Sequence, residues 1–210
     1  VFKKLSDCGL NYIIDTKNDI TAENGKSVLD FGEKYGISFY LRGDDVVKFD
    51  ASGTVVGTAE QMAEVMKSTV EKYSRFAGLH GRDEPTSDLY PKIKEAYAEF
   101  KKAKTLIGSA ADDLTLYVNM FPRLSGSQLS NGTNKDYTYD QYLEDFFDCE
   151  PYYLEFDSYP IMGLENTISA SWLNYLAYMN DKAISHNLAW QGFVQTGGNF
   201  ADVPNQHRIA

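Results

Sequence analysis

Short apolar runs recur along the chain, and stretches of helical periodicity separate them. Residues 11–15 (NYIID), 37–42 (ISFYLR), 76–81 (FAGLHG), 115–120 (TLYVNM), 153–157 (YLEFD) and 189–195 (AWQGFVQ) read as strands. Between them, residues 22–35, 59–73, 87–107, 139–147 and 169–185 carry the spacing of amphipathic helices. In the third of these, Ile93, Tyr97, Phe100 and Lys104 recur at helical intervals with charged residues between them, so one side packs and the other is wet. The opening VFKKLSDCGLNYII reads as the second half of a helix running into a strand, which suggests a piece of a longer chain.

Strand followed by helix, repeated throughout, predicts an α/β fold with a parallel sheet and right-handed crossovers. Two architectures satisfy that pattern, a (β/α)8 barrel and a doubly wound open sheet. The open sheet usually carries a glycine-rich first turn that holds a phosphate at a helix N-terminus. Here the turn reads DTKNDITAENG, and neither GxGxxG nor GxxxxGK[ST] occurs anywhere. The expectation is therefore a TIM barrel, incomplete here with about six βα units, forming one domain over residues 1–210. Residues 44–58 and the Ser/Gly/Asn-rich residues 123–138 follow strands and read as surface insertions on the side where barrels build their sites.

Charge narrows the partners: 30 acidic against 20 basic residues give a net charge of -10, which disfavours phosphate backbones and anionic lipid surfaces. Nucleic acid is thus an unexpected partner. No apolar run reaches the ~18 residues of a membrane span. Cys8 and Cys149 stand far apart without metal-binding spacing, so no disulfide framework or zinc site follows. Neither a metal nor a cofactor is expected. Aromatic residues, at 14%, are in excess and suit both cores and sugar-lined clefts.

In a barrel, polar residues at the carboxyl ends of strands converge on the mouth. Collecting them gives Asp15; Arg42; His80, Arg82, Asp83 and Glu84; Asn119; Asp157 and Tyr159; and Gln195. Gly81-Arg82-Asp83-Glu84-Pro85 is the sharpest of these runs, because Pro85 stops the strand and pre-sets the next turn. A carboxyl fixed there among aromatic groups can have its proton affinity raised enough to act as a general acid. Against this stands the plainer reading that Asp83 and Glu84 only favour a helix N-terminus.

Strand, Asp-Glu-Pro, helix resembles the Asn-Glu-Pro signature closing the fourth strand of clan A glycoside hydrolases, retaining enzymes on a (β/α)8 barrel. The wider run LHGRDEP, LYVNMFP and YLEFDSYP is similar to barrel proteins of gut bacteria described as glycoside-hydrolase-like. The resemblance implies that Glu84 is the acid/base, that the third strand here is the fourth of the barrel, and that the first and eighth lie outside this chain. It also implies an exported bacterial protein, secreted or at the cell surface or periplasm, acting on carbohydrate. One position departs from the pattern: where the clan has a nucleophilic glutamate after strand seven, this sequence has Gln195. An amide cannot form a glycosyl-enzyme intermediate. Asp157 is the best substitute as second carboxylate, with hydroxyl orientation or an ion pair with Arg42 as its plainer roles.

Asp15, Arg42, His80, Asp83, Asn119 and Gln195 complete the candidate substrate-binding set with two aromatic residues. Tyr159, in a loop, suits stacking on a sugar face; Trp190, inside a strand, suits either stacking or the core. Two functions follow as expectations. One is a glycoside hydrolase using Glu84 and Asp157; the other is a degenerate carbohydrate-binding barrel, for which Gln195 speaks. A third, a metal- or phosphate-handling barrel, would place an ion at His80, Asp83 and Glu84.

Overall fold

The computed structural model describes residues 1–50, 53–158, 161–162, 167–168 and 171–192. The strands among these residues are β1 (Tyr12–Asp19), β2 (Ser38–Arg42), β3 (Val47–Asp50), β4 (Gly53–Val56), β5 (Phe76–Asp83), β6 (Thr115–Met120), β7 (Leu154–Phe156), β8 (Ile161–Met162), β9 (Thr167–Ile168) and β10 (Trp190–Gly192). The helices are α1 (Phe2–Asp7), α2 (Glu23–Tyr35), α3 (Ala59–Val70), α4 (Tyr90–Ile107), α5 (Tyr139–Phe147) and α6 (Ser171–Ser185). Six strands form one parallel sheet in the order β1-β2-β5-β6-β7-β10. The order follows the sequence without reversal. A doubly wound sheet needs a switch point where the order turns back, so the arrangement is an arc of a (β/α)8 barrel. Among the described residues the arc does not close.

Alternation along the strands separates two faces. Leu116, Val118 and Met120 of β6, with Leu154 and Phe156 of β7, are buried in the main apolar core beside Ile93, Tyr97 and Phe100 of α4 and Met62 and Met66 of α3. On the opposite face Tyr40, Ala77 and Tyr117 form a small separate cluster with Ile14. The strands approach closely inside the arc: Gly78 has φ 136°, and a Cβ there would lie 1.8 Å from the Thr115 carbonyl oxygen. No side chain fits between β5 and β6 at that point.

Local chemistry explains the helix starts. Thr58 and Thr138 each form a capping box, with Gln61 and Gln141 as reciprocal partners. In the segment predicted as a helix from residue 87, Ser87–Leu89 forms a 3-10 turn and α4 begins at Tyr90 with Pro91 in its first turn. Lys104 does not pack with Ile93, Tyr97 and Phe100: its ammonium donates to the carbonyl oxygens of Asp112 (2.9 Å) and Leu114 (2.7 Å).

Both insertions carry structure of their own. Residues 44–58 contain the antiparallel β3–β4 hairpin, and residues 123–138 contain a 3-10 segment, Arg123–Ser130, whose Leu129 and Ser130 are buried. No helix among the described residues is long and apolar enough to cross a membrane.

Candidate active site

β5 delivers Glu84 to the carboxyl end of the sheet and then stops. The Glu84 amide donates to the Asn119 carbonyl oxygen at 2.8 Å, the last rung between β5 and β6. Its φ is 48°, in the left-handed region. For a residue ahead of proline this conformation is doubly disfavoured, and such strain persists only when the surroundings over-determine it. They do so here, because the Pro85 carbonyl oxygen accepts a hydrogen bond from the buried Tyr142 hydroxyl at 2.7 Å. Tyr142 is fully buried, so the bend that aims Glu84 rests on the core.

Asp157 follows β7 directly and is 4% exposed. Residue 157 continues the alternation of β7 on the side of Glu155, and it lies near enough to Glu84 for its charge to act on the Glu84 carboxyl. Burial first, then the charges of Asp157 and Asp83, push the Glu84 carboxyl up to about 7, against a smaller opposing pull from Arg82. Two neighbouring carboxyls cannot both ionise cheaply, so the pair holds one proton near neutrality.

Around this pair the strand ends bring several predicted residues together. The Asn119 side-chain amide donates to Asp83 at 2.8 Å, and Asn119 itself is 2% exposed. The His80 ring lies 5.9 Å from that of Tyr117, and burial lowers its pKa, leaving it neutral at pH 7. Arg42 pairs with Asp44, from Nε at 2.8 Å and from Nη2 at 2.5 Å, and reaches Asp50 at 3.7 Å rather than Asp157. A cleft of 170 Å³ opens beside these groups, lined by Thr16, Arg42, Lys48, His80, Arg82 and Asp83 among others.

Other candidates sit apart. Asp15 closes a local turn, accepting from Lys17 N, Asn18 N and Asn18 Nδ2. Burial would raise its pKa, but the bonds from Asn18 and Lys17 outweigh that and hold it low. Trp190 lies at the amino end of β10, with its ring 5.5 Å from Phe156 and its Nε1 donating to Asn180 of α6 at 3.1 Å. That is the helix-facing side of the sheet, where Trp190 serves packing. Tyr159 and Gln195 lie outside the described residues.

Sequence reasoning missed one group, and left the contact of another, Arg82, unforeseen. Glu155, 3% exposed inside the arc, accepts from the Val118 amide at 3.2 Å, and burial holds its carboxyl well above the ordinary range. The period-2 pattern of YLEFD, with Leu154 and Phe156 outward, was the signal that Glu155 points inward with Asp157. Arg82 bonds through Nη1 to the Phe49 carbonyl oxygen at 2.6 Å, a contact that depends on the unforeseen hairpin. Among the described residues, no group of three or more His, Cys, Asp or Glu is placed to hold a metal ion.

No family model matches the sequence, and no curated protein matches it. Solved structures do share its shape. One, from Bacteroides thetaiotaomicron and described as a candidate α-L-fucosidase, superposes with a TM-score of 0.59 at 11% identity, covering 98% of this chain and 70% of that one. An endo-β-1,3-glucanase from Sorangium cellulosum gives 0.45 at 15% identity, covering 85% and 64%. A β-glucanase from Saccharophagus degradans, in complex with cellotetraose, gives 0.42 at 8% identity, covering 97% and 77%. Of these three, the first overlap is close enough to speak to architecture, and at that identity it speaks to the fold alone.

Proposed function

We propose that this protein is a glycoside hydrolase that cleaves glycosidic bonds of an oligo- or polysaccharide, with Glu84 as general acid/base and Asp157 as the second carboxylate. The observation that carries the reading is the Glu84 carboxyl, which burial and the neighbouring charges of Asp157 and Asp83 push up to about 7. In the first step Glu84 gives its proton to the glycosidic oxygen as the bond to the anomeric carbon breaks. Neighbouring carboxyls suit double displacement, which needs a pair ~5–5.5 Å apart, better than inversion, which needs ~6.5–9.5 Å to leave room for a water. Asp157 then attacks the anomeric carbon to form a glycosyl ester. Glu84, now ionised, takes a proton from the water that hydrolyses it.

Asn119 and Asp83 fix the approach of substrate hydroxyls, and His80, neutral on Tyr117, supplies a donor or acceptor at the mouth. The same reading makes residues 1–210 one barrel domain of an exported bacterial protein. The test is hydrolysis of an activated aryl glycoside by the parent and by Glu84→Gln. Turnover in the parent and its loss in the variant is the expected result; turnover equal in both removes Glu84 from the mechanism.

Gln195 motivates a second reading, a barrel that binds glycan without cleaving it. An amide stands where the resembled clan carries its nucleophile. This reading expects no turnover by the parent, with glycan binding retained.

A further inference from the structure

Resting on the glycosidase reading, we propose that the cleft beneath the β3–β4 hairpin is a subsite for an anionic sugar substituent, with Arg82 as the residue that selects it. The starting point is a mismatch of donors and acceptors. A guanidinium carries five N–H donors in a planar fork suited to carboxylates and sulfates. Among the described residues Arg82 has one acceptor, the Phe49 carbonyl oxygen, and no ion pair; its Nε is buried without a partner. The side chain is half-buried, so water satisfies the fork less fully than on an open surface.

The other cations of the cleft have carboxylate partners. Arg42 engages Asp44 and Asp50, and Lys48 stands 3.6 Å from Asp50. Asp83 accepts from the Asn119 amide, and His80 is neutral at pH 7. Arg82 is therefore the cation of this cleft without a carboxylate partner. At 170 Å³ the space is below the ~300 Å³ of a full ligand pocket, which fits one ring or its substituent. Asp83, one residue before the proposed proton donor, is among its lining residues, so the cleft lies at the same end of β5 as Glu84. Long-range repulsion from the net charge of -10 fades beyond a Debye length of about 8 Å at physiological salt and does not oppose a contact at this range.

The test is binding, read by calorimetry on the full chain with methyl β-D-glucuronide, methyl β-D-glucoside 6-sulfate and methyl β-D-glucoside. The parent is expected to bind at least one anionic sugar about tenfold more tightly than the neutral one, the size of one added charge-assisted contact. A glucuronide preference identifies a carboxylate as the group held, and a 6-sulfate preference identifies a sulfate ester. Arg82→Gln should erase the preference and Arg82→Lys should keep part of it. Equal or tighter binding of the neutral glycoside by the folded parent, or no binding of either anionic sugar, overturns the proposal without any variant. Hydrolysis of the matching aryl glycosides separates this from the glycosidase reading. A binding preference without turnover sinks the enzyme and leaves the subsite, whereas turnover of neutral glycosides alone does the reverse.

Discussion

Adjacent residues on the same strands face two environments of equal burial and opposite chemistry. Leu154 and Phe156 of β7 are 0% and 1% exposed, while Glu155 and Asp157 beside them are 3% and 4% exposed. The outward pair meets α6 and Trp190, with the Phe156 ring 5.3 Å from that of Tyr175. The inward pair carries carboxyls into a space where water is scarce. Burial is stabilising for the first pair and costly for the second, because an ionised carboxyl loses its hydration and a phenyl ring does not need any. The outer face of the arc holds the fold together, and the inner face spends stability on shifted proton affinities. Glu84 sits where these demands meet: its side chain belongs to the inner face, and its backbone bend is held from the core by Tyr142.

The sharpest way to break this contrast is Phe156→Ala. It removes an aromatic ring from a packed core and should destabilise the fold by about 3–5 kcal/mol, read as a fall in the urea midpoint at unchanged slope. A loss below about 1 kcal/mol would mean that the outer face is not the cohesive one.

Next in size is an effect confined to the inner face. Glu84 acts as an acid only while protonated, and its carboxyl is pushed up to about 7, so turnover should fall as pH rises through 7. Asp157→Asn removes one of the causes, the neighbouring negative charge, and should move the alkaline limb of ligand binding or of Glu84 titration toward the ordinary 4.5. The expected displacement is about one pH unit, followed by carboxyl-carbon NMR so that lost turnover does not hide it. An unmoved limb would assign the shift to burial alone.

The contrast also explains which features were legible in the sequence. Six strands and five helices followed from periodicity, since the outer face is regular: Ile93, Tyr97 and Phe100 are buried as their spacing predicts. Glu84 was legible because Pro85 fixes its place in the chain. The resemblance led to Asp157 as its partner, but how near the two come could not be read from the sequence, because they lie 73 positions apart on non-adjacent strands and their spacing depends on the curvature of the sheet. Trp190 shows why composition left two roles open. An aromatic residue near a strand end has the same composition signal whether it faces sugar or a helix, and only the pairing of β10 with β7 places it against Phe156. Arg82 was collected with the other strand-end residues, yet its role hangs on a hairpin whose pairing, Val47 with Val56 and Asp50 with Gly53, brings the Phe49 carbonyl over it.

The smallest expected effect isolates the cost of an inward carboxyl from everything else. Glu155→Gln keeps an oxygen for the Val118 amide and nearly the same volume, and removes only the ability to ionise. The Glu155 pKa is raised by folding, so the parent gains from the neutral acid at low pH and loses that advantage as pH climbs above the ordinary value near 4.5. The variant has no such dependence. Melting temperatures of the two should therefore coincide near pH 4 and diverge at pH 7 to 8 with Glu155→Gln the more stable, by about 2–4 °C per kcal/mol for a chain of this size. Parallel curves at every pH would show that water reaches Glu155 freely, and the distinction between the two faces of β7 would then rest on shape rather than on solvation.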